Sequence, residues 1–154
     1  MVKMVNTFVF NTQINQQVKT KIMAQINAYL KFDGNCREAM TFYKECFGGE
    51  LIFNTVKGSP LESFMKPEEG DKILHSSLIS DKLVLFASEM TKPTTVGDAI
   101  FLWINTSGDE ETRSIFSKLA RDGKITAELQ VAYWGTEFGA VTDKYGINWY
   151  VSSL

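Results

Sequence analysis

An α+β fold made of two copies of a βαβββ module is the architecture this sequence predicts, and three observations carry the prediction. A helix-forming segment recurs at a fixed offset, a strand-like run precedes each copy, and three more strand-like runs follow each. With 154 residues, 44% of them hydrophobic and 12% aromatic, the chain is long enough to bury one proper core.

The repeat is clearest at the helices. "NCREAMTFYKECFGGELIF" from Asn35 aligns with "DEETRSIFSKLARDGKITA" from Asp109, an offset of 74 residues that also superposes Phe42 on Phe116 and Gly49 on Gly123. Asn35 and Asp109 read as N-caps, Glu38, Glu110 and Glu111 suit the positive end of the helix dipole, and Gly49 and Gly123 suit a left-handed terminus. Ala39, Phe42, Tyr43 and Cys46 form an i, i+3, i+4, i+7 stripe, and Thr112, Ile115, Phe116 and Leu119 form its counterpart. Both helices therefore present one face to a core.

The strands follow from alternation and from turn residues. "QINAYLKF" and "AIFLWINT" precede the helices; residues 50–56, 72–79 and 82–88 follow the first, and residues 125–131, 135–142 and 147–152 follow the second. Two connections stand out. "KGSPLESFMKPEEGD" lengthens one loop of the first module, and "EMTKPTTVGD" links the modules. Long loops of the first kind often border a site, although a plain surface excursion is as compatible with the sequence.

Charge excludes some partners. Sixteen Lys and Arg against 18 Asp and Glu leave a net charge of −2, so no overall field favours nucleic acid or an anionic membrane. No apolar run approaches the roughly 18 residues of a membrane span, and "MVKMVNTFVFNTQINQQ" lacks a secretory apolar core, so a cytoplasmic location is expected. Cys36 and Cys46 lie ten residues apart in one predicted helix, about 15 Å at the usual rise, too far for a disulfide. Cys36, near the helix start, is either a reactive thiol or a small residue tolerated in the first turn; Cys46 reads as core.

Two stretches carry a family resemblance: "YLKFDGNCREAMTFYKECFGGEL" and "YWGTEFGAVTDKYGINWY", the latter with Trp134, Gly135, Phe138, Gly139, Asp143, Gly146 and Trp149 in fixed spacing. Together they resemble the PhnB-like branch of the vicinal oxygen chelate superfamily, which includes glyoxalase I and bleomycin-resistance proteins. The resemblance covers about residues 24–153 and implies curled mixed sheets forming a cleft, helices on the convex side, and a homodimer. One domain is thus expected over residues 23–154, from modules 23–90 and 98–154. Residues 1–22 fall outside it as an extension that is disordered, an upstream-start artefact, or a source of an extra strand.

Strand parity then assigns faces. Ile26, Leu30 and Phe32, with Ile100, Leu102 and Ile104, should meet the helices, as should Ile147, Trp149 and Val151. The cleft would present Asn27, Tyr29, Ala99, Phe101, Trp103, Asn148 and Tyr150. Metal-dependent relatives place His, Gln or Glu ligands on the first and last strand of each module, and the resemblance puts those positions at Asn27, Leu85, Ala99 and Tyr150. This set cannot build a usual divalent site: Leu and Ala have no donor, Asn is weak, and a phenol must lose a proton with pKa near 10. The chain has a single histidine, so no cofactor or metal is expected.

Other candidates have bland readings beside the functional ones. His75 is the one imidazole able to move a proton near neutral pH, yet a half-buried strand histidine is more often structural. Glu89 and Glu128 lie near strand ends and would act as bases only if desolvated. Trp149 and Trp134 read as packing residues, and Trp103 as a possible stacking surface. Gly48, Gly49 and Gly135 are turn residues rather than a phosphate cradle. Some members of the resembled family are labelled methyltransferases of a ubiquinone precursor, but no glycine-rich nucleotide loop is present and that activity is not expected. The favoured function is binding of an apolar or planar small molecule in an aromatic cleft. The alternative is a lyase, isomerase or dioxygenase-type enzyme, either metal-dependent through residues such as His75 and Glu89, or metal-free with His75 as base and Tyr150 as electrophilic donor.

Overall fold

The computed structural model describes residues 26–154 except 82, 90, 91, 93 and 94, so the expectations for residues 1–22 lie outside the described residues. The first module consists of β1 (Ala28–Phe32), α1 (Cys36–Phe47), β2 (Glu50–Thr55), β3 (Ile73–Ile79) and β4 (Val84–Glu89). The second consists of β5 (Leu102–Thr106), α2 (Asp109–Ala120), β6 (Lys124–Val131), β7 (Glu137–Thr142) and β8 (Asn148–Ser153). Each forms a four-stranded mixed sheet, in the orders β1-β4-β3-β2 and β5-β8-β7-β6. β1–β4 and β5–β8 are the parallel pairs.

The predicted α+β class and the duplicated βαβββ order are thus present, and parity explains which side of each sheet is buried. Phe32, Leu78, Leu85 and Ala87 from one sheet, and Ile104, Val141, Trp149 and Val151 from the other, join a single buried cluster with both helices. The α1 stripe is wider than expected: Cys36, Ala39, Met40, Phe42, Tyr43, Cys46 and Phe47 are all buried. Each large apolar side chain so buried contributes roughly 2 kcal/mol, which outweighs the modest intrinsic helix preference of "CREAMTFYKECF". Ile26 and Ile100 do not join this cluster. They precede the first hydrogen-bonded residues of β1 and β5 and are exposed.

Helix starts are capped differently from the sequence expectation. Asn35 is the N-cap of α1 but makes no side-chain hydrogen bond there, and Asp109 is the first residue of α2, with Gly108 as its N-cap. The first helix takes its acceptor from the end of β4: Glu89 Oε2 accepts from the Gly34 N–H at 2.7 Å and Oε1 from the Cys36 N–H at 3.1 Å. A carboxylate there satisfies orphan donors and complements the dipole. Gly49 and Gly123 share a second role, close approach to a neighbouring strand. A Cβ on Gly49 would stand 2.4 Å from the Ile79 carbonyl oxygen, and one on Gly123 2.6 Å from that of Thr142. Only Gly49 has the expected positive φ, at 93°; after α2 the left-handed residue is Asp122, at 60°.

The two modules are tied through one buried carboxylate. Asp143, at 3% exposure, accepts at Oδ2 from Tyr43 Oη and Trp149 Nε1, both at 2.8 Å, and at Oδ1 from the N–H groups of Tyr145 and Ile147 at 2.9 and 3.0 Å. Tyr43 lies on α1 and Trp149 on β8, so one side chain holds the second module's last turn and the first module's helix. Burial and the Asp143 charge both push the Tyr43 phenol upward, keeping it protonated as a donor. Among the described residues, no helix is long and apolar enough to cross a membrane. Replacing Asp143→Ala should leave four donors unmet and cost roughly 3 kcal/mol or more in urea unfolding. A loss under about 1 kcal/mol would show that the network is not a main tie.

Candidate functional site

Both helices pack against the buried sides of the sheets, so the opposite side of each sheet turns away from the shared core. Two outward faces result, one per module. The register makes them counterparts. Tyr29 pairs with Phe86 and Ser77 with Phe86 in the first sheet, as Trp103 pairs with Tyr150 and Ala140 with Tyr150 in the second. Tyr29, His75 and Phe86 therefore occupy the positions that Trp103, Phe138 and Tyr150 occupy in the other module.

On the second sheet these positions are fully aromatic. Phe101 stacks on Tyr150 with centroids 4.3 Å apart and planes 12° from parallel. Trp103 lies 5.6 Å from Phe138 and 5.5 Å from Tyr150, and Phe138 lies 5.2 Å from Tyr150. Trp134 extends the surface through Phe138 at 5.4 Å, and Tyr133 packs on Trp134. Two indoles are fixed by polar partners: Trp103 Nε1 donates to Asn105 Oδ1 and Trp134 Nε1 to Thr136 Oγ1, both at 2.9 Å. Trp103 remains 53% exposed, so its ring is oriented without being covered.

On the first sheet the counterpart positions are more polar. The Tyr29 hydroxyl and His75 Nδ1 share a 3.3 Å hydrogen bond, with Phe86 packed 5.3 Å from the imidazole. Lys31 Nζ donates to Ser88 Oγ at 3.1 Å and stands 5.2 Å over the Tyr29 ring. The connection between β2 and β3 borders this face. It contains two short 3-10 turns, Glu62–Phe64 and Pro67–Glu69, and is closed at its base by the Val56 N–H to Lys72 carbonyl and Lys57 N–H to Gly70 carbonyl bonds. Beneath it lies a cavity of about 300 Å³ lined in part by Tyr29, Lys31, Met65, Leu74 and Ser88.

The sequence candidates distribute unequally over these faces. Phe101, Trp103 and Tyr150 come together on the second sheet, Tyr29 and His75 on the first; Asn27 is exposed just before β1. His75 and Tyr150 sit on different sheets, so one chain does not pair them as base and electrophile. Asn148 is 7% exposed and committed to structure, accepting from Thr142 Oγ1 at 2.7 Å and donating to the Gly97 carbonyl. Leu85 points into the core; its neighbour Phe86 holds the place equivalent to Tyr150. Ala99 lies before β5, and Glu128 is exposed on β6. Glu89 has the parity of Leu85 and Ala87 and caps α1, away from His75. The reactive-thiol alternative for Cys36 also fails: the side chain is fully buried, and burial pushes the thiol up to about 11 against the opposing Ser76 hydroxyl. Sequence reasoning missed Phe86, Phe138 and Lys31. The 74-residue offset that carries Tyr29 onto Trp103 also carries Lys31 onto Asn105, but the longer β2–β3 connection shortens the offset of the later strands, so it does not reach Phe86 and Phe138.

Comparison with known proteins assigns the family. The model described as 3-demethylubiquinone-9 3-methyltransferase matches residues 24–152. This chain belongs to that PhnB-like family. It is 27% identical over 137 residues to protein YjdN of Escherichia coli, a match covering 82% of this chain and 93% of YjdN. It is similar in structure to protein PA1353 of Pseudomonas aeruginosa, with 30% identity, a TM-score of 0.74, and 85% and 98% of the respective chains covered. The PhnB protein of Bacillus cereus gives 26% identity and a TM-score of 0.67, with 85% of this chain and all of that one covered. The PhnB-like chain thus has the glyoxalase/bleomycin-resistance fold, which more distant structures share.

Proposed function

We propose that this PhnB-like protein binds a planar, apolar small molecule on the aromatic face of its second sheet. The observation that supports this most directly is the connected surface of Phe101, Tyr150, Trp103, Phe138 and Trp134, with the Trp103 ring oriented by Asn105 yet half uncovered. Such a surface is pre-organised, so a ligand that stacks on it loses its own freedom but orders little protein. Nile red serves as a neutral planar probe. Saturable fluorescence enhancement is expected with the native protein, and Trp103→Ala should weaken it about tenfold, the loss of roughly 1.4 kcal/mol of apolar contact. Unchanged affinity in that variant would reject the aromatic face as the binding surface.

The same reading makes the protein metal-free. The counterpart positions on the outward faces hold Asn27 and Phe86 in one module and Phe101 and Tyr150 in the other, a donor set that does not fit a divalent ion. Elemental analysis of the purified protein should find no stoichiometric zinc, nickel or manganese. One ion per chain would overturn it. Methyl transfer, which the family's description names, is not assigned, because the sequence carries no glycine-rich nucleotide loop.

A homodimer completes the reading. Each chain turns two outward faces to solvent, with Tyr29, Ile52 and Ile79 exposed on the first and Trp103 on the second, and apposing one face of each kind would build a cleft. Light scattering should return twice the 17.4 kDa chain mass, and a species of 17.4 kDa alone would reject the dimer.

A further inference from the structure

Among the described residues, one cation lining the cavity at the β2–β3 connection makes no ion pair. The cavity's charged lining residues are Lys31, Glu69, Lys72 and Glu89. Three of them are committed. Lys72 Nζ bonds Glu69 Oε1 at 2.7 Å, and Glu69 Oε2 also accepts from the Lys66 N–H. Glu89 uses both oxygens on the N–H groups that begin α1. Among the described residues the partners of Lys31 are neutral, the Ser88 hydroxyl and the Tyr29 ring, and Ser88 is 3% exposed although it lies on the outward parity of β4. Met65, from the connection, lines the same cavity.

The rest of the lining is apolar. Met65, Ile73, Leu74 and the Tyr29 ring stand beside the ammonium, and Ile73 is itself buried. The Lys31 ammonium and the Ser88 hydroxyl beside this apolar wall, with the Lys72–Glu69 pair and the Glu89 cap making up the remaining lining, match a ligand with one anionic head and a compact apolar body. A volume of about 300 Å³ is at the small end of ligand pockets, enough for a one-ring molecule.

The duplication supplies an independent argument. Lys31 pairs with Ser88 in β1–β4 as Asn105 pairs with Ser152 in β5–β8. In the second module that position is neutral and its amide is used to hold the Trp103 indole. Only the first module has a charge there, and only the first has the long connection beside it.

We infer that Lys31 and Ser88 form a binding subsite for the carboxylate of a small aromatic acid whose ring lies against Met65, Leu74 and Tyr29 beneath the β2–β3 connection. This subsite goes beyond the aromatic face of the second sheet and does not rest on it. No covalent step is involved; recognition is a charge-assisted hydrogen bond from Lys31 together with ring burial.

The experiment is a backbone-amide NMR titration of the full-length protein with benzoate, benzamide and inorganic phosphate in parallel. Benzoate should shift the amides of residues around Tyr29, Lys31 and Ser88 saturably, with benzamide at least tenfold weaker because it cannot use the ammonium. The Lys31→Met variant, which keeps the aliphatic stem, should fold normally and lose the preference for benzoate over benzamide. Equal binding of benzoate and benzamide, or a preference retained in Lys31→Met, would overturn the role of the ammonium. Phosphate binding as tightly as benzoate would overturn the apolar wall, and an absence of saturable shifts at this face would overturn the site. A failure of Nile red binding at Trp103 leaves each of these readouts intact, so the two proposals fail separately.

Discussion

The Asp143 carboxylate is the constraint on which the outward faces depend. Its Oδ1 accepts from the N–H groups of both Tyr145 and Ile147, which fixes the turn between β7 and β8. The same group takes the Trp149 indole N–H, which turns Trp149 into the core. Because side chains on a strand alternate, seating Trp149 inward sends Tyr150 outward, and a slip of one residue would exchange them. The position of Tyr150 beside Trp103 and Phe138 is therefore set on the far side of the sheet. Tyr43 closes the network from α1, so the second module's register is linked to packing of the first.

How far the sequence could be read follows from which of these contacts are local. Helix stripes and strand alternation are local, and they placed Trp149, Val151, Phe32 and Ile104 inward as found. "LVLFASE" is apolar on both sides over its first residues, so alternation gives no unique parity for β4, and the position that the resemblance puts at Leu85 falls one residue on, at Phe86. The Glu89 cap was not legible at all. It reaches α1 across the parallel pairing of β1 with β4, more than 50 residues along the chain from the groups it satisfies. Asn148 shows the same limit in reverse: a polar residue of outward parity next to a turn reads as surface, yet Thr142 and the Gly97 carbonyl take up its amide.

The assembly of the faces was a different kind of miss. Parity tells which residues share a side of one strand, and the duplicated pattern tells that two sheets exist. Neither tells how the sheets meet. The sequence reading merged Tyr29 with Trp103 and Tyr150 into one cleft, whereas the helices lie against the inner sides of both sheets and each face stands alone in the chain. What decides this is the width of the α1 stripe. Phe42, Tyr43 and Phe47 point beyond their own sheet, and Tyr43 and Phe47 reach Trp149 of the other, with centroids 5.6 and 5.2 Å away. A helix buried on that much of its circumference needs apolar partners on more than one side.

Duplication followed by divergence accounts for the contrast between the faces. At equivalent places the first module has Tyr29, His75, Phe86, Lys31 and Ser88, and the second has Trp103, Phe138, Tyr150, Asn105 and Ser152. The backbone geometry is common, so the difference lies in side chains and in one connection. With phenylalanine in place of histidine and asparagine in place of lysine, the second face has neither an imidazole nor an ammonium at these places. That leaves a surface that can stack but has no cation to offer an anion. Conversely, the first face has a cation but fewer stacked rings, and the longer β2–β3 connection borders it. Lys31 itself is exposed, whereas its hydroxyl partner Ser88 is buried. Exclusion of water at the hydroxyl strengthens a hydrogen bond made there, while a ring pair gains from area. A connection beside that position is thus useful on the side that carries Lys31, and that is the side on which the chain is longer.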